Sequence, residues 1–542
     1  MAERTTASVK RLTLVACILG SGIALLDGTV VNVALPTIQR ALGGGLAAQQ
    51  WVVNGYLLTL GSLILVGGSL GDLFGERRVF AIGVGGFALA SGLCAASPSI
   101  GVLVAARALQ GITGALLVPS SLAVIVNTFP EDERGPAIGT WTAWGAVAGV
   151  LGPLAGGELL AVASWRWIFV INIPLATICI ALILTAIPAS APRGASAPHV
   201  DYLGGALCAL GLGGPVFALI EQPRLGWSSP AVIGPLVAGV LLLVVFLAYE
   251  SRTREPMLPL RLFRRRNFSA GNVETLAMYA GLSILFFFLV LFLQQIGGYS
   301  PLKSGLATLP ATIVLFLLSR RFGKLADRYG PRLFMGAGPL IGAAGLLLFQ
   351  ATGVKAAYVT EVLPPLLIFS LGLSMTVAPL TAAVLAGSEQ EAGIASGVNN
   401  AIARVAGLLG TAAVGAAISS AFVARFNARI GAAVRLDPGA QAALREARRL
   451  PLGKPQIHGT SPQVAHTMLA AAEGASLHAF HMGMAIAAAL LAIGGIVGAT
   501  FIRNPRRGGV RAADCPGGQL VGVSSPEHRH EQGGEGVAAP AG

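Results

Sequence analysis

Stretches of about twenty apolar residues recur along nearly the whole of this 542-residue chain. That is the length a helix needs to cross roughly 30 Å of hydrocarbon. Lipid offers backbone N–H and C=O groups no partner, so only helices or closed barrels span it, and these runs lack the alternation of a barrel strand. Composition points the same way: 54% of residues are hydrophobic, 11% are charged and the mean hydropathy is +0.73, against about 25% charged in soluble chains. A water-soluble fold has no means of hiding so much apolar surface. The 72 glycines fit, because small residues let membrane helices pack closely.

The sequence predicts about 14 spans, near 12–35, 51–71, 79–97, 100–128, 137–160, 167–187, 203–221, 231–249, 270–293, 303–319, 332–352, 358–378, 393–422 and 479–502. The apolar run after Arg4, Lys10 and Arg11 resembles a signal peptide, but it continues past Asp27 to Pro36 without a small-residue cleavage site, and we read it as a retained first span. An even count places both termini on one side. If that side is the cytoplasm, the loops within it carry Arg77, Arg78, Arg134, Arg252, Arg254, Arg261, Arg264, Arg265, Arg266, Arg320, Arg321, Lys324 and Arg328. The opposite loops hold scattered cations such as Arg40, Arg166, Arg224 and Lys355. This bias satisfies the positive-inside rule with cytoplasmic termini. The segment 423–475 breaks it with Arg445, Arg448 and Arg449, but loops of that length translocate largely regardless of charge.

The net charge of +13 therefore sets topology and does not indicate nucleic acid. Cys17, Cys94, Cys179 and Cys208 lie in apolar runs and Cys515 in the polar tail, with no metal-ligand spacing, so neither disulfide nor metal is expected.

An internal repeat organises the chain. Gly68-Ser69-Leu70-Gly71-Asp72-Leu73-Phe74-Gly75-Glu76-Arg77-Arg78 follows the second span, and Gly323-Lys324-Leu325-Ala326-Asp327-Arg328-Tyr329-Gly330-Pro331-Arg332 follows the tenth. Each copy alone is a tight charged turn. Matched copies imply two related six-span bundles with the seventh and eighth spans inserted between them. The expected divisions are a cytoplasmic N-terminus at 1–11, an N-terminal bundle at 12–187, a linker with the two inserted helices at 188–268, a C-terminal bundle at 269–503 containing the long outer loop 423–475, and a disordered cytoplasmic tail at 504–542.

Four blocks resemble the major facilitator superfamily, specifically its 14-span drug:proton antiporters, the group of the quaternary-ammonium efflux pump. They are Leu26-Asp27-Gly28-Thr29-Val30-Val31-Asn32-Val33-Ala34-Leu35-Pro36 in the first span, the loop Gly68 to Arg78, Arg107 to Ala115 in the fourth span, and Gly145, Gly149, Gly152-Pro153 and Gly156-Gly157 in the fifth. Trp165-Arg166-Trp167-Ile168-Phe169 with Asn172 and Pro174, and Gly298-Tyr299-Ser300-Pro301 with Leu309-Pro310, are also typical of that branch. Glu76 departs from the pattern, standing where the loop motif usually has a basic residue. The resemblance covers about residues 12–502 and implies a major facilitator fold. It also implies a role for Asp27 in substrate or proton handling, assistance to proton transfer from Arg107, and an exporter-specific role for the glycine block.

The residues carry their own physical argument. An Asp in an apolar helix is costly unless paired, protonated or facing water, which makes Asp27 a functional candidate; the competing reading is a packing residue bonded to Thr29 or Asn32. A carboxyl group in a cavity open alternately to each side takes up a proton on one side and releases it on the other. Arg107 cannot escape desolvation by neutralising, so it needs a carboxylate, carbonyls or water, unless it snorkels to the surface. Gly145, Gly149, Gly152 and Gly156 place small residues on nearly one face beside Pro153, predicting a bent helix packed tightly on a neighbour. Asp72 and Asp327, with Arg77, Arg78, Arg328 and Arg332, are read either as latches between the halves or as solvated pairs.

Glu274, in the ninth span, belongs to none of these blocks and is a candidate for proton stoichiometry or substrate charge selection. Glu158, Glu221 and Glu361 are expected to be wet, and Arg404 with Asn399 and Asn400 to form either a cavity wall or a packing seam. His478 and His481 share a helical face without a third ligand, and His528-Arg529-His530-Glu531 lies in the tail; neither is read as a metal site.

The function these features imply is proton-coupled export of small amphipathic, often cationic compounds across the cytoplasmic membrane by alternating access. The expected partners are substrate, protons and lipid, with no nucleic acid, no cofactor and a plausible monomer. There is no G-x-x-x-x-G-K-[ST] segment to suggest ATP. A dedicated exporter of a host-made metabolite, lipid or antibiotic is the alternative within transport. A membrane receptor or embedded enzyme is the alternative outside it, and no Ser/His/Asp or metal constellation supports an enzyme.

Overall fold

Local sequence sets the helix boundaries. Ser99, Ser300 and Ser461 accept from the backbone N–H of Val102, Lys303 and Val464, and Asp201 accepts from Gly204, each capping a helix start. Pro301 and Pro462 occupy the first helical positions, where a missing N–H costs nothing. At Gly75 and Gly330 φ is +90° and +91°, a conformation that favours glycine, and each ends one helix and begins the next. The two copies of the repeat thus make the same turn.

The structure, a computed structural model, describes residues 2–188, 200–386, 391–430, 434, 440–455, 457 and 460–504. The tail beyond Asn504, with Cys515 and the His528–Glu531 stretch, lies outside the described residues, as do His199 and His458. Among the described residues, 14 helices are long and apolar enough to cross a membrane.

The N-terminal half comprises α1 (Ala2–Leu42), α2 (Leu46–Phe74), α3 (Glu76–Ala96), the broken fourth span α4 (Ile100–Gly114) and α5 (Leu117–Thr128), α6 (Glu131–Val162), and the broken sixth span α7 (Trp167–Val170) and α8 (Asn172–Ala186). The inserted pair is α9 (Tyr202–Leu225) and α10 (Pro230–Glu250). The C-terminal half comprises α11 (Arg266–Gln295), α12 (Pro301–Tyr329), α13 (Pro331–Leu348), α14 (Leu363–Leu385), α15 (Ala392–Arg429) and α17 (Pro462–Phe501), with a short α16 (Ala440–Arg448) before the last.

The halves meet along two seams of matching type: α2 against α15 and α12 against α6, each the second helix of one half on the fifth of the other. Where α9 crosses the α2–α15 seam it touches both, with Val216 and Ile220 packed on Leu408 and Ala412 and on Trp51 and Leu58. Burial sorts the helices by place: α11 is 83% buried over its apolar window and α10 only 17%. Exposed Val237, Val240, Leu241, Val244 and Val245 give α10 an apolar outer surface suited to lipid.

Three boundaries differ from the sequence expectation. Residues 2–11 continue α1, α15 runs to Arg429, and α17 begins at Pro462, so much of the segment 423–475 is helical. Apolarity marks only the stretch that lipid must solvate; backbone hydrogen bonding continues through polar flanks.

Candidate functional site

Asp27 lies near the middle of α1 and is wholly buried. Oδ2 is bound by the Arg107 guanidinium, and Oδ1 accepts from Gln110 Nε2 and Asn172 Nδ2, both at 3.0 Å. Arg107 and Gln110 stand three residues apart on α4 and so share a face; the guanidinium also donates to Gln110 Oε1 at 2.5 Å. Ser91 on α3 accepts from both Gln110 and Asn172, at 2.8 and 3.2 Å. Five helices therefore meet at one carboxylate once α2 is included. From α2, the Val52 carbonyl accepts from Arg107 Nε at 3.1 Å, and the Tyr56 ring lies 4.3 Å from the guanidinium carbon.

This corrects two expectations. Asp27 does not face an aqueous cavity; it is sealed inside the N-terminal half. Nor do Thr29 or Asn32 hold it: Thr29 bonds back to the Leu25 and Leu26 carbonyls, and Asn32 Oδ1 has no partner. The charge of Arg107 explains the arrangement, because a guanidinium 1% exposed draws in the carboxylate rather than snorkelling. Sequence reasoning singled out Asp27 and Arg107, and Gln110 and Asn172 stood inside quoted blocks. It missed Ser91 and Tyr56; Ser91 showed only as one small polar residue in an apolar run.

The glycine block serves two neighbours, not one. A β-carbon on Gly152 would overlap Thr29 and lie 3.0 Å from the Leu26 carbonyl oxygen, and one on Gly156 would overlap Val30, both on α1. Gly157 abuts Leu302 of α12, and a β-carbon on Gly305 would lie 2.6 Å from the Pro153 carbonyl oxygen. Gly145 is buried, whereas a β-carbon on Gly149 would meet nothing within 4 Å. The block thus joins α6 to its own half and to the other half.

Of the loop-motif residues, Glu76, Arg77, Arg328 and Arg332 make contacts within their own halves. Arg77 donates to the Leu184 carbonyl at 2.7 Å, the buried Glu76 accepts from Asn127 at 2.8 Å, and Arg332 donates to the Ala499 carbonyl at 2.6 Å. Arg78 is exposed, and Arg328 lies over the Tyr329 ring of its own helix. Gly68 sits beside Pro119; Asp72 is half-buried and Asp327 exposed.

The hydrogen bonds described between the halves lie away from these turns. Gln50 donates to the Thr411 carbonyl at 2.6 Å, Thr411 donates to Asn54 at 3.0 Å, and Gln294 donates to the Val33 carbonyl at 2.9 Å. Glu274 is remote from Asp27, in the other half, and wholly buried. Asn399 donates to Asn272 and Thr275 at 2.8 Å, forming a polar seam between α15 and α11. Glu158 is exposed, but Glu221 is held by Trp51 and Arg224, and Glu361 caps a turn at Gly353. His481 is bonded to the Thr352 carbonyl at 3.0 Å.

Two six-helix halves of matched connectivity, with charged groups sequestered inside an apolar bundle, define a multi-pass membrane transporter. The sequence profile of the Major Facilitator Superfamily matches residues 17–411, and the chain belongs to that superfamily. Among curated relatives it is 38% identical to a puromycin resistance protein of Streptomyces alboniger, over 72% of this chain and 78% of that one. It is 35% identical to a tetracenomycin C resistance and export protein of Streptomyces glaucescens, covering 75% and 76% of the two chains. A multidrug resistance protein of Mycobacterium tuberculosis is 33% identical, over 76% of each chain. Among solved structures, a bacterial homologue of the human lysosomal transporter Spinster superposes with a TM-score of 0.59 at 18% identity, covering 92% of this chain and 99% of that one. At that identity the likeness speaks for the fold alone.

Proposed function

We propose that this protein is a proton-driven exporter of small amphipathic, often cationic compounds, with Asp27 as the coupling carboxylate and Arg107 as its switchable partner. The observation that carries the reading is the buried Asp27–Arg107 pair, because the same guanidinium is bonded to Val52 and stacked on Tyr56 of α2. On that helix Gln50 and Asn54 make the α2–α15 seam with Thr411. Neutralising Asp27 removes the charge that holds Arg107, so protonation reaches the seam through one side chain. As Asp27 is sealed in this state, it takes its proton in the state where the seam has parted. With the loop-motif turns and both termini in the cytoplasm, the seam closes the outer end, and this is the half of the cycle that admits cargo from inside. Relatives named for resistance and export support export as the direction.

A second reading, a dedicated exporter of one antibiotic, is favoured by the relatives named for a single compound, such as tetracenomycin C. The test of both is uptake by everted vesicles of ethidium, tetraphenylphosphonium, a divalent bis-quaternary dye and tetracenomycin C, with and without a collapsed pH gradient. Gradient-dependent uptake of several dyes supports the broad exporter, and uptake of the antibiotic alone supports the dedicated one. Uptake that persists after collapse removes proton coupling.

A further inference from the structure

Glu274 is a second acid inside an apolar helix, and the mechanism above leaves it unused. It stands about two turns into α11, wholly buried, and no donor reaches either carboxyl oxygen. Glycines on α17 make room for it: a β-carbon on Gly498 would lie 2.7 Å from Oε2, and one on Gly494 would lie 3.7 Å from Cγ. The same point beside Gly498 is 2.5 Å from the carbonyl oxygen of Met335 on α13. That carbonyl lacks its usual helical donor, because the residue four positions on is Pro339, which has no N–H. An acid without a donor and a carbonyl without a donor therefore open onto one small space. An ionised carboxylate there would face another oxygen in a medium that does not screen it, whereas a neutral carboxyl group has an O–H to give.

Among the described residues, no cation pairs with Glu274. The helix α14 has no charged residue, and the titratable groups of α17, His466, Glu473, His478 and His481, lie more than three turns away along that helix. Arg266 of α11 and Arg332 of α13 are committed to the carbonyl oxygens of residues 499–501. On α15, Arg404 packs against Gly61 of the other half, and Arg261 and Arg265 before α11 pair with Glu391. Lys324 and Arg328 of α12 are exposed. Between Glu274 and the loop-motif face lies a clamp: Asn267 and Arg503 exchange hydrogen bonds at 2.8 and 2.9 Å, and Asn504 accepts from the Arg332 N–H at 3.2 Å.

We propose that Glu274 is a second proton-binding site, neutral in this conformation with its O–H given to the Met335 carbonyl, and that it releases the proton to water on the loop-motif side when the Asn267–Arg503 clamp opens. The step breaks the Glu274 O–H bond, transfers the proton to water and leaves a hydrated carboxylate. Asp27, held by Arg107, and Glu274, paired with no cation, are thus in opposite states at the same moment, and each transport cycle moves two protons. The coupling part of this inference rests on the proton-driven reading above.

Three measurements on the full-length protein in lipid vesicles test it. Infrared spectra at neutral pH should lose one neutral-carboxyl band in Glu274→Gln and keep it in Asp27→Asn; an unchanged band in Glu274→Gln overturns the assignment. For the dye that the wild type moves fastest, the pH gradient that nulls net flux gives the proton-to-dye ratio, expected to halve from two to one in Glu274→Gln. An unaltered ratio with driven transport intact overturns the coupling role alone, whereas a wild type that moves no dye under the gradient defeats the parent reading and the coupling with it. Glu274→Met, which neither titrates nor donates, should lose thermal stability that Glu274→Gln retains; equal losses in both would count against the bond to Met335.

Discussion

Asp27 and Arg107 are unequal partners. A buried carboxylate that loses its cation escapes by binding a proton, but a guanidinium that loses its anion stays charged. Asp27→Asn should therefore damage the fold more than Arg107→Gln, by up to about 3–5 kcal/mol for an uncompensated buried charge. The double variant should recover part of that loss, because it leaves no buried charge. Melting temperatures of the four proteins in one detergent check this, and simple additivity would show that the two groups do not act on each other. Both residues were legible in the sequence because charge is so rare within apolar runs. Ser91 was not, since one hydroxyl in a membrane helix commonly bonds its own backbone, as Thr29 does here.

At the scale of elements, α6 shows why spacing alone misjudges a glycine motif. Regular intervals suggested one smooth face, yet Gly152 and Gly156 admit α1, Pro153 and Gly157 admit α12, and Gly149 has open space. Gly152→Ala should lower the melting temperature through overpacking, at a cost of about 1–3 kcal/mol. Gly149→Ala should be neutral or stabilising by up to roughly 1 kcal/mol, as alanine favours the helix. Similar losses in both variants would mean that helix propensity, not the contact with α1, governs the block. The repeat was read more securely. Its glycines fall at Gly75 and Gly330, where only the backbone conformation matters, and φ is nearly identical in the two.

The whole molecule is divided by the seam that α2 shares with α15, and α9 spans the line on the outside. If transport requires the seam to part, then bridging Asn54→Cys and Thr411→Cys with a short thiol-cleavable crosslinker should stop gradient-driven uptake, and cleaving the bridge should restore it. Uptake that continues through the bridged protein would mean that this seam does not open during the cycle. The latches expected at the repeat turns belong to the same scale. Arg77 and Arg332 bind carbonyls in their own halves, so these side chains brace each bundle rather than tie the two together.

By itself the sequence determined the class of protein, the number of spans and which charges had to be hidden. Each of those follows from the cost of placing backbone or charge in hydrocarbon, and that cost is paid residue by residue along the chain. Only the tertiary structure decided which face of each helix turns inward, that Asp27 is sealed from water, and that Glu274 and a carbonyl freed by a proline on another helix both border Gly498. Lipid is as apolar as the interior it surrounds, so a membrane helix carries no polar stripe to mark its inner side, and packing of distant small residues makes that choice.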